Sequence, residues 1–174
     1  MLLIGIDVVE VRRWRRLLAR RGERAVARMF ARVFAPEELE GLQELADTAG
    51  VWPAEGSARS TEVEVPGGCL PAEPRGGTPR AELPARTLRT QRLAARLAGR
   101  WAAKEAVMKA LGVKAGPWRD LVVTTGTGGA PEVLLRGGWH DAARGRNIGG
   151  WQVSISHERG LAVAVAVAWR REFS

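Results

Sequence analysis

Gly99-Arg100-Trp101-Ala102-Ala103-Lys104-Glu105-Ala106-Val107-Met108-Lys109-Ala110-Leu111-Gly112 is the stretch from which the rest of the chain can be read. Ala, Leu, Met, Lys and Glu are strong helix formers, and glycine just past the last apolar residue is a natural helix stop. The composition predicts a helix over Leu88 to Leu111, with Leu93, Leu97, Trp101 and Met108 as core contacts. Trp101, Glu105 and Lys109 recur every four residues and so share one face, which puts an aromatic ring, a carboxylate and an ammonium in one column. That column is either an ordinary helix-surface ion pair or part of a site, and the neighbouring segments bear on the choice.

Upstream, Leu2-Leu3-Ile4-Gly5-Ile6 is a short apolar run that ends at Asp7. It reads as a buried first strand with a carboxylate at its C-terminal end, or with Asp7 capping the helix that follows. From Glu10 onward Val11, Trp14 and Leu18 fall at helical spacing, with Arg12, Arg13, Arg16 and Arg20 on the other side. After Gly22 the stripe restarts with Val26, Met29, Phe30 and Val33, and Arg24, Arg28 and Arg32 line up four apart. Residues 1 to 35 hold nine Arg against three acids, so the front of the molecule is its basic face, either simply solvated or used for docking. Pro36, followed by Glu37 and Glu38, opens a third helix running to about Ala46.

Asp47 to Ala85 differs in kind. Its 39 residues include six Pro and six Gly, a fraction typical of low-complexity sequence. The segment reads as a long insertion within one domain spanning 1–174. It carries six acids and three Arg, a net −3, so the remaining residues hold +11 and the formal total is +8. Cys69 lies here as an incidental thiol.

Downstream of Gly112, Leu121 to Thr124 and Glu132 to Leu135 read as a hairpin. Thr125-Gly126-Thr127-Gly128-Gly129 between them lacks the Lys and the following helix of a phosphate loop. Gly137 to Arg146 reads as a weak helix. Trp151-Gln152-Val153-Ser154-Ile155-Ser156-His157 alternates like a strand, Glu158-Arg159-Gly160 is a turn, and Leu161 to Trp169 alternates Val with Ala. His157, at that turn, is a solvated loop histidine or a site residue.

Several classes are disfavoured. The longest apolar run has nine residues, short of the roughly 20 needed to span a bilayer. The lone Cys69 makes no intrachain disulfide, and no Cys/His set has zinc spacing. A charge of +8 and a pI near 11.2 call for an anionic partner, yet no nucleic-acid signature accompanies the arginines. A cytoplasmic location is expected, and nucleic acid is an unfavoured partner.

Gly-x-Asp at the first strand, Trp-Ala-Ala-Lys-Glu-Ala-Val-Met-Lys on a helix and Trp-x-Val-Ser-Ile-Ser-His near the C-terminus occur in that order. Together they resemble the holo-[acyl-carrier-protein] synthase family, the single-domain 4′-phosphopantetheinyl transferases. The resemblance covers residues 1 to 46 and 86 to 169. It implies an α+β fold with an antiparallel sheet packed against a long catalytic helix. It also implies magnesium, coenzyme A as substrate, and an apo acyl carrier protein of fatty-acid or secondary-metabolite synthesis as acceptor. Carried over, Asp7 and Glu105 match the metal-binding carboxylates, and Lys109 the lysine that meets the pyrophosphate. Lys109, Arg100, Ser156 and His157 match coenzyme contacts, and Arg13, with Arg16 and Arg20, the carrier-docking face. Relatives of this kind assemble as homotrimers, and a coenzyme A or nucleic-acid binding module without turnover is the alternative. Two carboxylates about 4 Å apart repel by about 4 kcal/mol at an effective dielectric near 20, so such a pair needs a cation. The insertion and the loop Gly112 to Pro117 depart from the family pattern.

Overall fold

The computed structural model describes residues 1–20, 23–40, 42 and 82–171. Strand β1 (Leu2–Glu10) runs without a linker into helix α1 (Val11–Arg20), followed by α2 (Glu23–Val33) and the short α3 (Pro36–Glu40). Next come the long α4 (Glu82–Leu111), a 3-10 turn (Trp118–Asp120), the hairpin β2 (Leu121–Thr125) and β3 (Pro131–Leu135), and α5 (Gly137–Gly145). The terminal pair β4 (Ile148–Glu158) and β5 (Leu161–Arg170) completes the order. A three-stranded antiparallel sheet with order β1-β5-β4 packs on α4, and β2 and β3 make a separate two-stranded sheet. This is the expected α+β architecture.

The helix and the sheet meet through small residues. Ala162, Ala164, Ala166 and Ala168 of β5 are fully buried, as are Ala98, Ala102 and Ala106 of α4. A Cβ on Gly5 would overlap the Ala106 carbonyl oxygen and lie 2.6 Å from the Ala110 nitrogen. Glycine is therefore required at position 5 by the close approach of α4. Gly112, with φ 69°, ends the helix as expected, its N–H donating to Met108 O at 2.9 Å. Arg159 and Gly160, both with positive φ, form the two-residue hairpin turn that suits the strand twist. On its other side α4 meets α1, where Val11, Trp14 and Leu18 are buried as their spacing predicts, and Phe30 and Phe34.

Two expectations about β1 are corrected. The strand continues three residues beyond Asp7, because Val8 and Val9 are good strand formers and β1 pairs with β5 from Leu2↔Trp169 to Glu10↔Leu161. Asp7 is thus mid-strand, opposite Ala164, and caps no helix. Nor is the strand buried on both faces: Gly5, Asp7 and Val9 face α4, while Leu2, Ile4, Ile6 and Val8 are 61, 60, 54 and 55 % exposed. A continuous apolar run masked this period of two. Helix α4 also begins at Glu82, inside the segment read as insertion. Residues 43–81, which hold the rest of that segment and Cys69, lie outside the described residues, as does the predicted extension of α3 to Ala46.

Candidate active site

Asp7 reaches from the inner face of β1 towards Glu105 and Lys109 on α4. Lys109 Nζ donates to Asp7 Oδ1 at 2.7 Å and to Ile6 O at 3.1 Å. Asp7 is 8 % exposed, and its Oδ2 is buried with no hydrogen-bond partner among the described residues. The Glu105 carboxyl is pushed above the usual carboxylate range, first by burial and then by the adjacent Asp7, against opposing pulls from Lys109 and a Trp101 hydrogen bond. Lys109 is held above its usual value, chiefly by its bond to Asp7. The Trp101, Glu105 and Lys109 column is therefore no isolated surface pair, since Asp7 of another element closes it.

Two facing acceptors with an orphaned oxygen form a donor set for a hard cation. Among the described residues no group of three or more His, Cys, Asp or Glu could hold a metal. Magnesium suits the smaller set, because it binds through one or two carboxylates and keeps positions for water and phosphate.

The other carried-over residues are scattered. His157 pairs with Ala162 on the face of the sheet that meets α4, and its side chain is exposed. Ser156 pairs with Val163 and lies on the opposite, outer face. Arg100 is five residues before Glu105, about 140° round the helix, on the side of Lys104. There burial lowers its pKa, opposed by Glu38 and reinforced by Arg96, and its Nε is buried without a partner among the described residues. Within one chain, then, Asp7, Glu105 and Lys109 are brought together, and Arg100 and Ser156 are not. Arg13 and Arg16 project from α1 into solvent, and the Arg20 side chain lies outside the described residues. Arg13 rims an apolar cavity of about 340 Å³ floored by Trp14, Leu17, Met29 and Trp101.

Reading the sequence missed Glu38 and Lys104, both fully buried. Lys104 Nζ donates to Glu38 Oε2 at 2.8 Å, to Trp118 O at 2.9 Å and to Leu121 O. Glu38 accepts the Ala35 N–H at 2.7 Å and the Val123 N–H at 3.0 Å. Burial pushes the Glu38 carboxyl up and the Lys104 ammonium down, and each opposes the shift of the other. Two acids after Pro36 looked like first-turn charges. The available signal was position: Glu38 is the third helical residue, from which a Glu side chain reaches back to the N-cap N–H.

Residues 79–166 match the 4′-phosphopantetheinyl transferase superfamily, ACPS. A holo-[acyl-carrier-protein] synthase of Anaeromyxobacter dehalogenans is 36 % identical over 165 residues, covering 94 % of this chain and 92 % of that one. The synthase of Beutenbergia cavernae is 51 % identical over 75 residues, which is 42 % of this chain and 65 % of that protein. The fold is similar to that of the Helicobacter pylori synthase, solved in complex with coenzyme A, with a TM-score of 0.58 at 21 % identity over 96 % of this chain and 100 % of the other. With its three motifs, its helix-on-sheet fold and a relative matched nearly end to end, the chain belongs to the holo-[acyl-carrier-protein] synthase family of 4′-phosphopantetheinyl transferases.

Proposed function

We propose that the protein moves the 4′-phosphopantetheine group of coenzyme A onto a serine of an apo acyl carrier protein, in the presence of Mg²⁺. The serine oxygen forms a bond to the β-phosphorus. The bond from that phosphorus to the bridging oxygen breaks, and adenosine 3′,5′-bisphosphate leaves with the electron pair. The observation that carries this reading is the meeting of Asp7, Glu105 and Lys109 from two elements: Lys109 bonds Asp7 Oδ1 at 2.7 Å, and burial and the neighbouring Asp7 push the Glu105 carboxyl up.

Asp7 and Glu105 would hold the magnesium, which supplies charge neutralisation for the phosphates in flight. Lys109, half exposed and one turn from Glu105, offers an ammonium to the pyrophosphate. Glu105 would also align or deprotonate the incoming serine, directly or through water. The exposed Arg13 and Arg16 form a cationic face for an acidic carrier, and the apolar cavity beside Arg13 gives that face depth.

The proposed assembly is a homotrimer, and the outer face of the sheet supports it. The outer positions of β1 pair with Trp169, Val167, Val165 and Val163 of β5, making a broad apolar face on the side away from α4. Ser156 lies at the edge of that face. A copy packed there would bring Ser156 to the site of its neighbour rather than to its own, and a ring of three closes such a contact. The cytoplasm, where coenzyme A and carriers meet, is the compartment this implies. Among the described residues no helix is long and apolar enough to cross a membrane.

The test is transfer of a fluorescent coenzyme A to an apo carrier, read by intact-mass spectrometry with and without chelator. Asp7→Ala should lower turnover about 10³-fold and Lys109→Ala about 10²- to 10³-fold, as losses of preorganised electrostatic groups do. Parent-like turnover by Asp7→Ala would refute the proposal.

A further inference from the structure

Glu38 and Lys104 lie outside the Asp7, Glu105 and Lys109 cluster and take no part in the transfer step. Their geometry nonetheless has a direct bearing on it. All three ammonium protons of Lys104 are spent, on acceptors from three separate segments: Glu38 of α3, Trp118 of the 3-10 turn and Leu121 at the start of β2. Glu38 is anchored in turn by the Ala35 and Val123 N–H groups. Stability alone does not account for such a pair, because well-packed apolar residues of similar volume often serve as well or better.

What the pair can supply is direction. Helix α4 meets the sheet through Ala98, Ala102 and Ala106 against the alanine stripe of β5. Small side chains allow close approach but raise only shallow ridges to lock a helix against turning about its own axis. Lys104 immediately precedes Glu105, so whatever fixes Lys104 fixes the bearing of Glu105. At a side-chain radius of about 5–6 Å, a rotation of about 10° carries a side-chain tip roughly 1 Å, and a misplacement of about 1 Å costs of the order of 10²-fold in rate.

We infer that Glu38 and Lys104 are positioning residues: their buried network sets the rotation of α4, so that Glu105 and Lys109 meet Asp7. The inference rests on the catalytic reading of those three residues.

The variant Glu38→Gln/Lys104→Met removes both charges together and keeps a side-chain acceptor for the Ala35 N–H. It is expected to unfold cooperatively, with kcat about 10²-fold below the parent and the KM values for coenzyme A and carrier within about threefold. A folded double variant with parent kcat overturns the positioning role. Should the double variant not fold, Glu38→Gln alone decides, with turnover expressed per folded molecule from its urea curve. A fall with unchanged KM supports the role, and turnover equal to the parent's overturns it. The parent, assayed in parallel, separates the two readings: no magnesium-dependent transfer by the parent overturns the function and this inference with it, whereas transfer that the variant matches overturns the positioning alone.

Discussion

Gly5→Ala is a one-carbon change whose consequence can be worked through. The new Cβ would overlap Ala106 O and lie 2.6 Å from Ala110 N and 2.9 Å from Ala106 C, all backbone atoms of α4. Comfortable separations begin at about 3.5 Å, so relieving the overlap with Ala106 O requires β1 and α4 to part by about 1.5 Å. The backbone at Gly5 is not in the left-handed region, so the entire penalty is steric. Overpacking of this kind costs about 1–3 kcal/mol. With a urea m-value of about 1–3 kcal/mol/M, the unfolding midpoint should fall by roughly 1 M. Asp7 is the next residue on the same face of β1, and its 2.7 Å bond to Lys109 crosses the interface being opened. Turnover should therefore fall about 10²-fold in addition. Gly145→Ala is the control, because a Cβ there meets nothing within 4 Å and alanine is the better helix former. Urea titrations of the three proteins, followed by transfer assays at saturating substrates, make the comparison. If Gly5→Ala keeps the parent's midpoint and turnover, the close approach of α4 to β1 is wrong.

Glu105→Gln should raise stability at pH 8 in chelator. A carboxyl whose folded pKa is raised contributes stability that is fully present below its ordinary value of 4.5 and is lost as pH rises through the folded value. The Tm advantage of the glutamine variant must accordingly shrink as pH is lowered towards 4.5, and an advantage that grows on acidification would contradict the assignment. Neutralising Arg13 and Arg16 should raise the carrier KM, flatten its salt dependence and leave the coenzyme KM alone, and equal losses for both substrates would argue against docking. Ile6→Asp, on the exposed apolar face, should reduce the mass seen by light scattering from about three chains of 18.9 kDa to one, and a parent already monomeric would remove the basis for the trimer.

Much of the fold was legible because its signals are local. The Gly112 stop, the stripe of Val11, Trp14 and Leu18, and the alternation of β4 and β5 each follow from period and turn chemistry within a few residues. The column of Trp101, Glu105 and Lys109 was legible for the same reason. Asp7 could be named from the motif, but its neighbours could not, since it meets Lys109 across 102 positions of chain. The run Leu2 to Ile6 was misread because large apolar residues on an exposed face look like core until one knows that small and charged ones face the helix. Glu38 and Lys104 escaped because each has a sufficient local explanation, a first-turn acid and a helix-surface lysine. Only the tertiary fold reveals that they bury each other.

The ladder joining β1 to β5 carries a cost in time. Its two strands are separated by at least 151 residues of sequence, from Glu10 to Leu161, and β5 is the middle strand of the three. A ribosome adding about 5–20 residues each second leaves β1 waiting roughly 8–30 s for its partner. Throughout that interval an apolar strand has a bare edge on each side, the condition under which chains find one another instead of themselves. Newly made chains are thus most vulnerable in the interval before β5 emerges. A change that removes only β5 would leave α4 intact and deprive both β1 and β4 of the strand they share, so the sheet cannot form until β5 has been made.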